Sequence, residues 1–344
     1  MHMADALISP QVGGTMWVIS AGFIAYCAKK IKQCLNPSII PLMGILGAFV
    51  FASQMINFSI PMTGSSGHIG GGLILAVLLG PYAGFITIAS VLTVQALFFA
   101  DGGLLALGCN IFNLGFFSMF IAYPLIYKKI TENKSSSYTT TILASTLAAT
   151  AGLILGAIGV VVETKLSGIT ALPFKTFFAL MIPIHIAIGI IEGIATGLII
   201  TALLKTRPEI LSQSCMRPET SAGYSTPIPG SRPVLFTFLL ATIITGGIAS
   251  WFASTYPDGL EWSISRLTGS EEVPPYESAA HQKLEVIQQK FSFMPDYNFK
   301  EAETPEGWPA ISMGTSLAGI VGSFITLLIA ITAGFLLKPS KNRT

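Results

Sequence analysis

Long apolar runs broken by short polar turns dominate this chain. Runs close to the roughly 20 residues that a bilayer core requires fall near 14–29, 38–57, 82–100, 104–127, 138–162 and 174–204, with two more near 234–254 and 311–337. A further run, Ile69–Leu79, is too short to cross alone and is bounded by Gly70-Gly71-Gly72 and Gly80-Pro81, which predicts a short or tilted helix starting just after His68. With it, the pattern predicts seven helices before Lys205. The stretch from Thr206 to Pro233 is polar and rich in Pro, Ser, Thr and Gly, the composition of a linker. The expected fold is an all-α polytopic membrane protein. It divides into a seven-helix bundle over 1–205, a cytoplasmic linker over 206–231, and a two-helix domain over 232–344 that carries an external loop at 255–310.

Composition supports the membrane class. Hydrophobic residues make up 51% of the 344 and charged residues 10%, with a mean hydropathy of +0.68, whereas soluble domains carry about 25% charged residues. The four cysteines, Cys27, Cys34, Cys109 and Cys215, show neither CxxC spacing nor a disulfide framework and read as small apolar fillers. The net charge of +2 matters less than its distribution. Lys29, Lys30 and Lys32 follow the first predicted helix, Lys128, Lys129 and Lys134 the fifth, and Lys205, Arg207, Arg217 and Arg232 the seventh. The positive-inside bias puts these loops in the cytoplasm. The opposite loops, including 58–68 and Asp101-Gly102-Gly103, carry no Lys or Arg, and only Lys165 and Lys175 flank the sixth and seventh helices there. The expectation is a multi-pass cell-membrane protein with its N-terminus external and its C-terminus cytoplasmic. Its partner is then the lipid bilayer, with no nucleic acid. The segment Ser254–Pro309 holds ten acids against four bases, which suits a soluble loop and also an entrance that concentrates cations.

The opening Met1-His2 carries the most specific chemistry. A free terminal amine, the deprotonated amide of residue 2 and the His2 imidazole can close fused chelate rings around one cation, and a second imidazole completes a planar four-nitrogen set suited to Ni(II) or Cu(II). Such a set needs the true amino terminus. A large residue at position 2 generally blocks removal of the initiator methionine, and Met1 to Pro10 has no basic n-region of a cleavable signal. His68, in Gly64-Ser65-Ser66-Gly67-His68-Ile69-Gly70-Gly71-Gly72, is the candidate second imidazole. Polar groups at membrane depth are costly, and the glycines let the backbone dive inward to present one ring. The metal-ligand candidates are therefore Met1, His2 and His68.

Asp5, Ser66, His185 and Glu192 are candidates for the surrounding shell. Asp5 can accept from an imidazole N–H or a backbone amide and so fix a ligand's tautomer, or it can simply cap a helix. His185 and Glu192 are seven apart on one helical face, with Gly189, Gly193 and Gly197 on the same stripe, a pattern that favours a structural hydrogen-bonded network over a metal route. Gln95, Asn110 and Asn113 read the same way. Gly64-Ser65-Ser66-Gly67 also fits the G-x-S-G of rhomboid-like intramembrane serine proteases, with Ser66 and His185 as a dyad, but that reading leaves Met1-His2 unexplained. A proton-coupled secondary metal transporter would need buried acids along a path, for which Glu192 is the candidate.

Several motifs together resemble the nickel and cobalt substrate-binding membrane component of energy-coupling factor transporters. They are Met1-His2-Met3-Ala4-Asp5-Ala6, the Gly64–Gly72 turn with His68, the run Val94–Leu104 continuing to Ala106–Asn110, and His185–Gly193. Pro257-Asp258-Gly259-Leu260-Glu261-Trp262 resembles the small two-helix auxiliary component of the same systems, fused here behind the linker. The resemblance implies a seven-helix subunit that holds Ni(II) or Co(II) as transported substrate, needs no organic cofactor and is not an enzyme. It implies as partners a coupling membrane protein, the T component, and a pair of ATP-binding subunits. The chain has no GxxxxGK[ST] motif of its own.

Overall fold

The computed structural model describes residues 2–34, 36–132, 137–211, 231–271, 273–274, 276, 278–300 and 307–338. Met1 and most of the expected linker, 212–230, lie outside the described residues. Helix α1 (Pro10–Cys34) leads to α2 (Ile40–Gln54) through a turn in which the Asn36 side chain accepts from the Ser38 amide. A hairpin of β1 (Phe58–Ile60) and β2 (Ser65–Gly67) follows, antiparallel and paired Phe58 to Gly67, Ser59 to Ser66 and Ile60 to Ser65. It was not expected, because three-residue strands are too short to display alternation.

Helix α3 (Gly72–Leu79) is short and wholly buried, and α4 (Pro81–Phe98) follows it across Gly80. The side-chain amides of Gln54 and Gln95, near the C-terminal ends of α2 and α4, lie 2.9 Å apart, Gln95 donating. These two helices therefore run in the same direction, and α3 with the residues before it returns the chain to the opposite end. That accounts for the expected short helix between them. Next come α5 (Leu107–Glu132, π-helical over Phe112–Lys128), α6 (Tyr138–Ser167) and α7 (Phe174–Thr206). Gly189, Gly193 and Gly197 of α7 lie against the backbones of Thr150, Thr146 and Ile142 of α6, so closely that an added Cβ would overlap them. Small residues at four-residue spacing are what such close helix contact in a membrane requires.

The C-terminal part adds α8 (Ser231–Gly247), α9 (Gly259–Thr268), α10 (Ala279–Phe291) and α11 (Met313–Leu337). Among the described residues, seven helices, α1, α2, α4 to α7 and α11, are long and apolar enough to cross a membrane. Helix α11 packs on α2, where Ser323 donates to the Ala48 carbonyl at 3.2 Å. The segment between α8 and α11 folds over one end of the bundle. Ser254 donates to the Asn57 carbonyl at 2.7 Å, Trp262 Nε1 to that of Thr63 at 3.1 Å, and Gln288 Nε2 to those of Ala96 and Gly102 at 2.9 and 2.8 Å.

Candidate metal site

His2 and His68 meet at the end of the bundle covered by that segment. Their rings stack with centroids 5.1 Å apart and an interplanar angle of 15°. An ion about 2 Å from a ring nitrogen lies about 3 Å from that ring's centroid, so one ion can reach two rings whose centroids are up to about 6 Å apart. The observed centroids lie within that distance, and because the two planes are nearly parallel one ring must reorient before both lone pairs face one ion.

Each ring has one nitrogen committed. His68 Nδ1 lies 3.0 Å from the Ile69 carbonyl, which takes its proton and leaves Nε2 the lone pair. Burial pushes the His68 imidazole down to about 3, so the ring stays neutral. His2 Nδ1 lies 2.9 Å from Asp101 Oδ1, and His2 Nε2 is buried with no hydrogen bond among the described residues. Burial alone would raise the Asp101 carboxyl, but the His2 ring and the Tyr297 hydroxyl, which donates to Asp101 Oδ2, hold it well below the usual carboxylate range. Met1, the remaining candidate ligand, is outside the described residues.

The chain around His2 is fastened from several sides. Met3 donates its amide to Asn110 Oδ1 at 2.8 Å and accepts from Asn110 Nδ2 at 3.2 Å and from the Gly103 amide at 2.9 Å. Among the described residues the Asp5 carboxylate makes no hydrogen bond to an imidazole. The 3-10 turn Asp5–Leu7 carries its carboxylate to the Ala106 amide, 2.9 Å away, and burial raises its pKa despite that bond. The carboxylate beside His2 is Asp101, which had appeared in the sequence only as part of a motif. His281 Nε2 of α10 lies 3.0 Å from both the Asp5 and Ile8 carbonyls and ties the N-terminal segment to the auxiliary domain.

The His68 turn is held equally firmly. Glu192 of α7 accepts from the amides of Gly70 at 2.6 Å and Gly71 at 3.1 Å, and Gln54 Nε2 donates to the Gly70 carbonyl at 2.9 Å. Gly71 has φ of 75°, and an added Cβ there would also press on Val50, so a side chain is excluded twice over. Ser66 donates its hydroxyl to the Tyr256 carbonyl at 2.7 Å and its amide to that of Pro257 at 2.8 Å. His185 Nδ1 is bound to the Met181 carbonyl at 2.7 Å. No hydrogen bond joins Ser66 to His185 among the described residues, so the serine dyad has no geometry to support it. The paired glycine amides engage the Glu192 carboxylate, which thereby holds the His68 turn in place.

The chain is similar to several metal transport proteins. Archaeoglobus fulgidus has a putative fused nickel transport protein, NikMN, that is 28% identical over 329 residues, 96% of each chain. The cobalt transport protein CbiM of Clostridium tetani is 32% identical over 212 residues, 60% of this chain and 85% of that one. A crystal structure of a truncated transition metal transporter superposes with a TM-score of 0.53 at 31% identity, covering 60% of this chain and 99% of the other. The PDGLE domain family matches residues 232–339. Because the model of the CbiM family, described as the cobalt uptake substrate-specific transmembrane region, matches residues 2–210, the chain belongs to that family, with a PDGLE domain fused behind it.

Proposed function

We propose that the chain is the substrate-capture subunit of an ATP-driven importer of Ni(II) or Co(II) of the energy-coupling factor type, loaded from outside through the Met1 amine, the His2 amide and imidazole, and the His68 imidazole. The observation that carries this reading is the stacked His2–His68 pair at 5.1 Å, with His68 oriented by the Ile69 carbonyl and His2 by the Asp101 carboxylate. A fused chelate closes on Nδ1 of His2, because only that nitrogen forms a six-membered ring with the residue's own amide. Chelation therefore requires the ring to turn about Cβ–Cγ and to pass the Asp101 hydrogen bond to Nε2–H. Asp101 then plays the usual part of a carboxylate behind a metal-bound imidazole, fixing orientation and raising basicity. His68 Nε2 supplies the fourth nitrogen, and a planar set of four favours Ni(II).

External loading rests on the Lys and Arg asymmetry, which puts the His68 turn on the side opposite the basic loops. Without an ATPase motif, the chain depends on a coupling membrane protein and two ATP-binding subunits to drive release. The test is Ni(II) uptake by cells expressing this chain alone or together with those partners. Uptake that requires all of them supports the reading. Full uptake by the chain alone overturns it in favour of secondary transport.

A further inference from the structure

Two glutamines lie side by side in the apolar interior, Gln54 at the C-terminal end of α2 and Gln95 near that of α4, 5% and 0% exposed. Burying amides at membrane depth is unfavourable, and an apolar pair would fill the same space, so packing alone does not account for them. The Gly70 carbonyl sets the direction of the pair. It takes a hydrogen bond from Gln54 Nε2 at 2.9 Å, which turns Gln54 Oε1 toward Gln95, and Gln95 Nε2 donates to that oxygen at 2.9 Å. Neither amide can turn over alone without setting two acceptors face to face. At the far end, Gln95 Oε1 is buried with no hydrogen-bond partner among the described residues, a group that a purely structural contact has no reason to keep.

Gln95 reaches the other histidine through its main chain. Its carbonyl accepts from the amides of Phe99 and Asp101, both at 3.1 Å, and closes a turn in which Ala100 takes φ of 55°. That turn delivers the Asp101 carboxylate to His2 Nδ1 at 2.9 Å. The Tyr297 hydroxyl, which holds the other Asp101 oxygen, lies beside the Gln95 side chain. On the opposite side, Gly70 is two residues from His68, whose Nδ1 is held by the Ile69 carbonyl between them. One unbroken path therefore runs from the His68 turn, through Gln54 and Gln95, to the carboxylate that orients His2.

We propose that Gln54 and Gln95 are positioning residues for metal capture, a rigid spacer between the His68 turn and Asp101 that presents the two imidazoles to the ion as one unit. Neither side chain touches the metal. A spacing fixed in advance spares the ion the ordering of two separate segments, which raises affinity. The role rests on the reading of His2 and His68 as ligands.

The test uses the full chain with its native amino terminus and Ni(II) alone as the probe. The dissociation constant is measured by competition with a chelator, and melting is measured separately. Gln54→Met and Gln95→Met keep an unbranched side chain of similar length and remove the amide. Each is expected to raise the Ni(II) dissociation constant about tenfold. The variant carrying both changes is also expected to show a rise of about tenfold, because a spacer cut at one joint loses nothing more at the second, whereas independent effects would multiply to about a hundredfold. A packing role would lower the melting temperature and leave the dissociation constant in place. Either single variant binding within twofold of the unaltered chain, or a pair of changes whose effects multiply, overturns the proposal. If a single variant fails to fold because its partner amide is stranded, the variant lacking both amides decides by the same twofold limit. His68→Ala, measured alongside, separates the two readings. Undiminished Ni(II) binding in that variant removes His68 as a ligand and the positioning role with it, whereas binding lost in His68→Ala but kept in the glutamine variants removes the positioning role alone.

Discussion

Asp101→Asn probes the account at the point where sequence reasoning and structure differ. One carboxylate oxygen meets His2 Nδ1 at 2.9 Å, and the other receives the Tyr297 hydroxyl. Both neighbours are donors. An asparagine keeps its shape but offers only one acceptor, so its NH2 must face a donor, and the charge that supports the imidazole is gone. A hydrogen bond to a charged group contributes about 1.5–3 kcal/mol, and loss of a carboxylate behind a metal-bound histidine weakens metal binding about 10- to 100-fold. Asp101→Asn is thus expected to raise the Ni(II) dissociation constant by about 10- to 100-fold, with Tyr297→Phe, which leaves the carboxylate in place, costing less. Competition against a chelator of known affinity, on protein with its native terminus, measures both. An Asp101→Asn chain within twofold of the unaltered protein would refute the argument.

Other perturbations give distinct expectations. At Gly103 an added Cβ would overlap both the side chain and the amide of Asp5, so Gly103→Ala should displace the N-terminal segment, lowering stability by about 1–3 kcal/mol and weakening Ni(II) binding; unchanged melting and affinity would show the loop to be slack. Glu192→Gln leaves one of the Gly70 and Gly71 amides facing an NH2 group and should cost about 1–3 kcal/mol in detergent-solubilised melting, with weaker metal binding because His68 loses its anchor. Nickel affinity should fall as pH drops from 8 to 6, since the amine and amide must give up protons, and His68, neutral down to about 3, adds nothing to that fall. A dissociation constant independent of pH over that range would contradict the terminal chelate.

The helices and the two histidines were legible in the sequence, for physical reasons. Bilayer-length apolar runs admit few alternatives, and a histidine among glycines at membrane depth is too costly to be idle. Asp258 and Glu261 likewise form the capping box of α9 that their spacing allows. What was hidden depends on long-range contact. Nothing near Asp101 signals His2, and nothing near His281 signals the Asp5 and Ile8 carbonyls, because each partner lies across a chain reversal. Asp5 was the better guess by proximity, yet the turn that follows it points the carboxylate away. The acidic segment after α8 could be read as a solvated loop, whereas it docks through backbone carbonyls, which leave no mark on side-chain composition.

The most direct measurement is the metal content and Ni(II) affinity of purified protein with its native amino terminus, beside one variant with an alanine inserted between Met1 and His2 and another with His68→Ala. The insertion keeps every side chain but breaks the fused rings. Collapse of high-affinity binding in both variants is the predicted result. Binding equal to that of the unaltered chain in both would contradict it and leave the opening residues as a packed segment only.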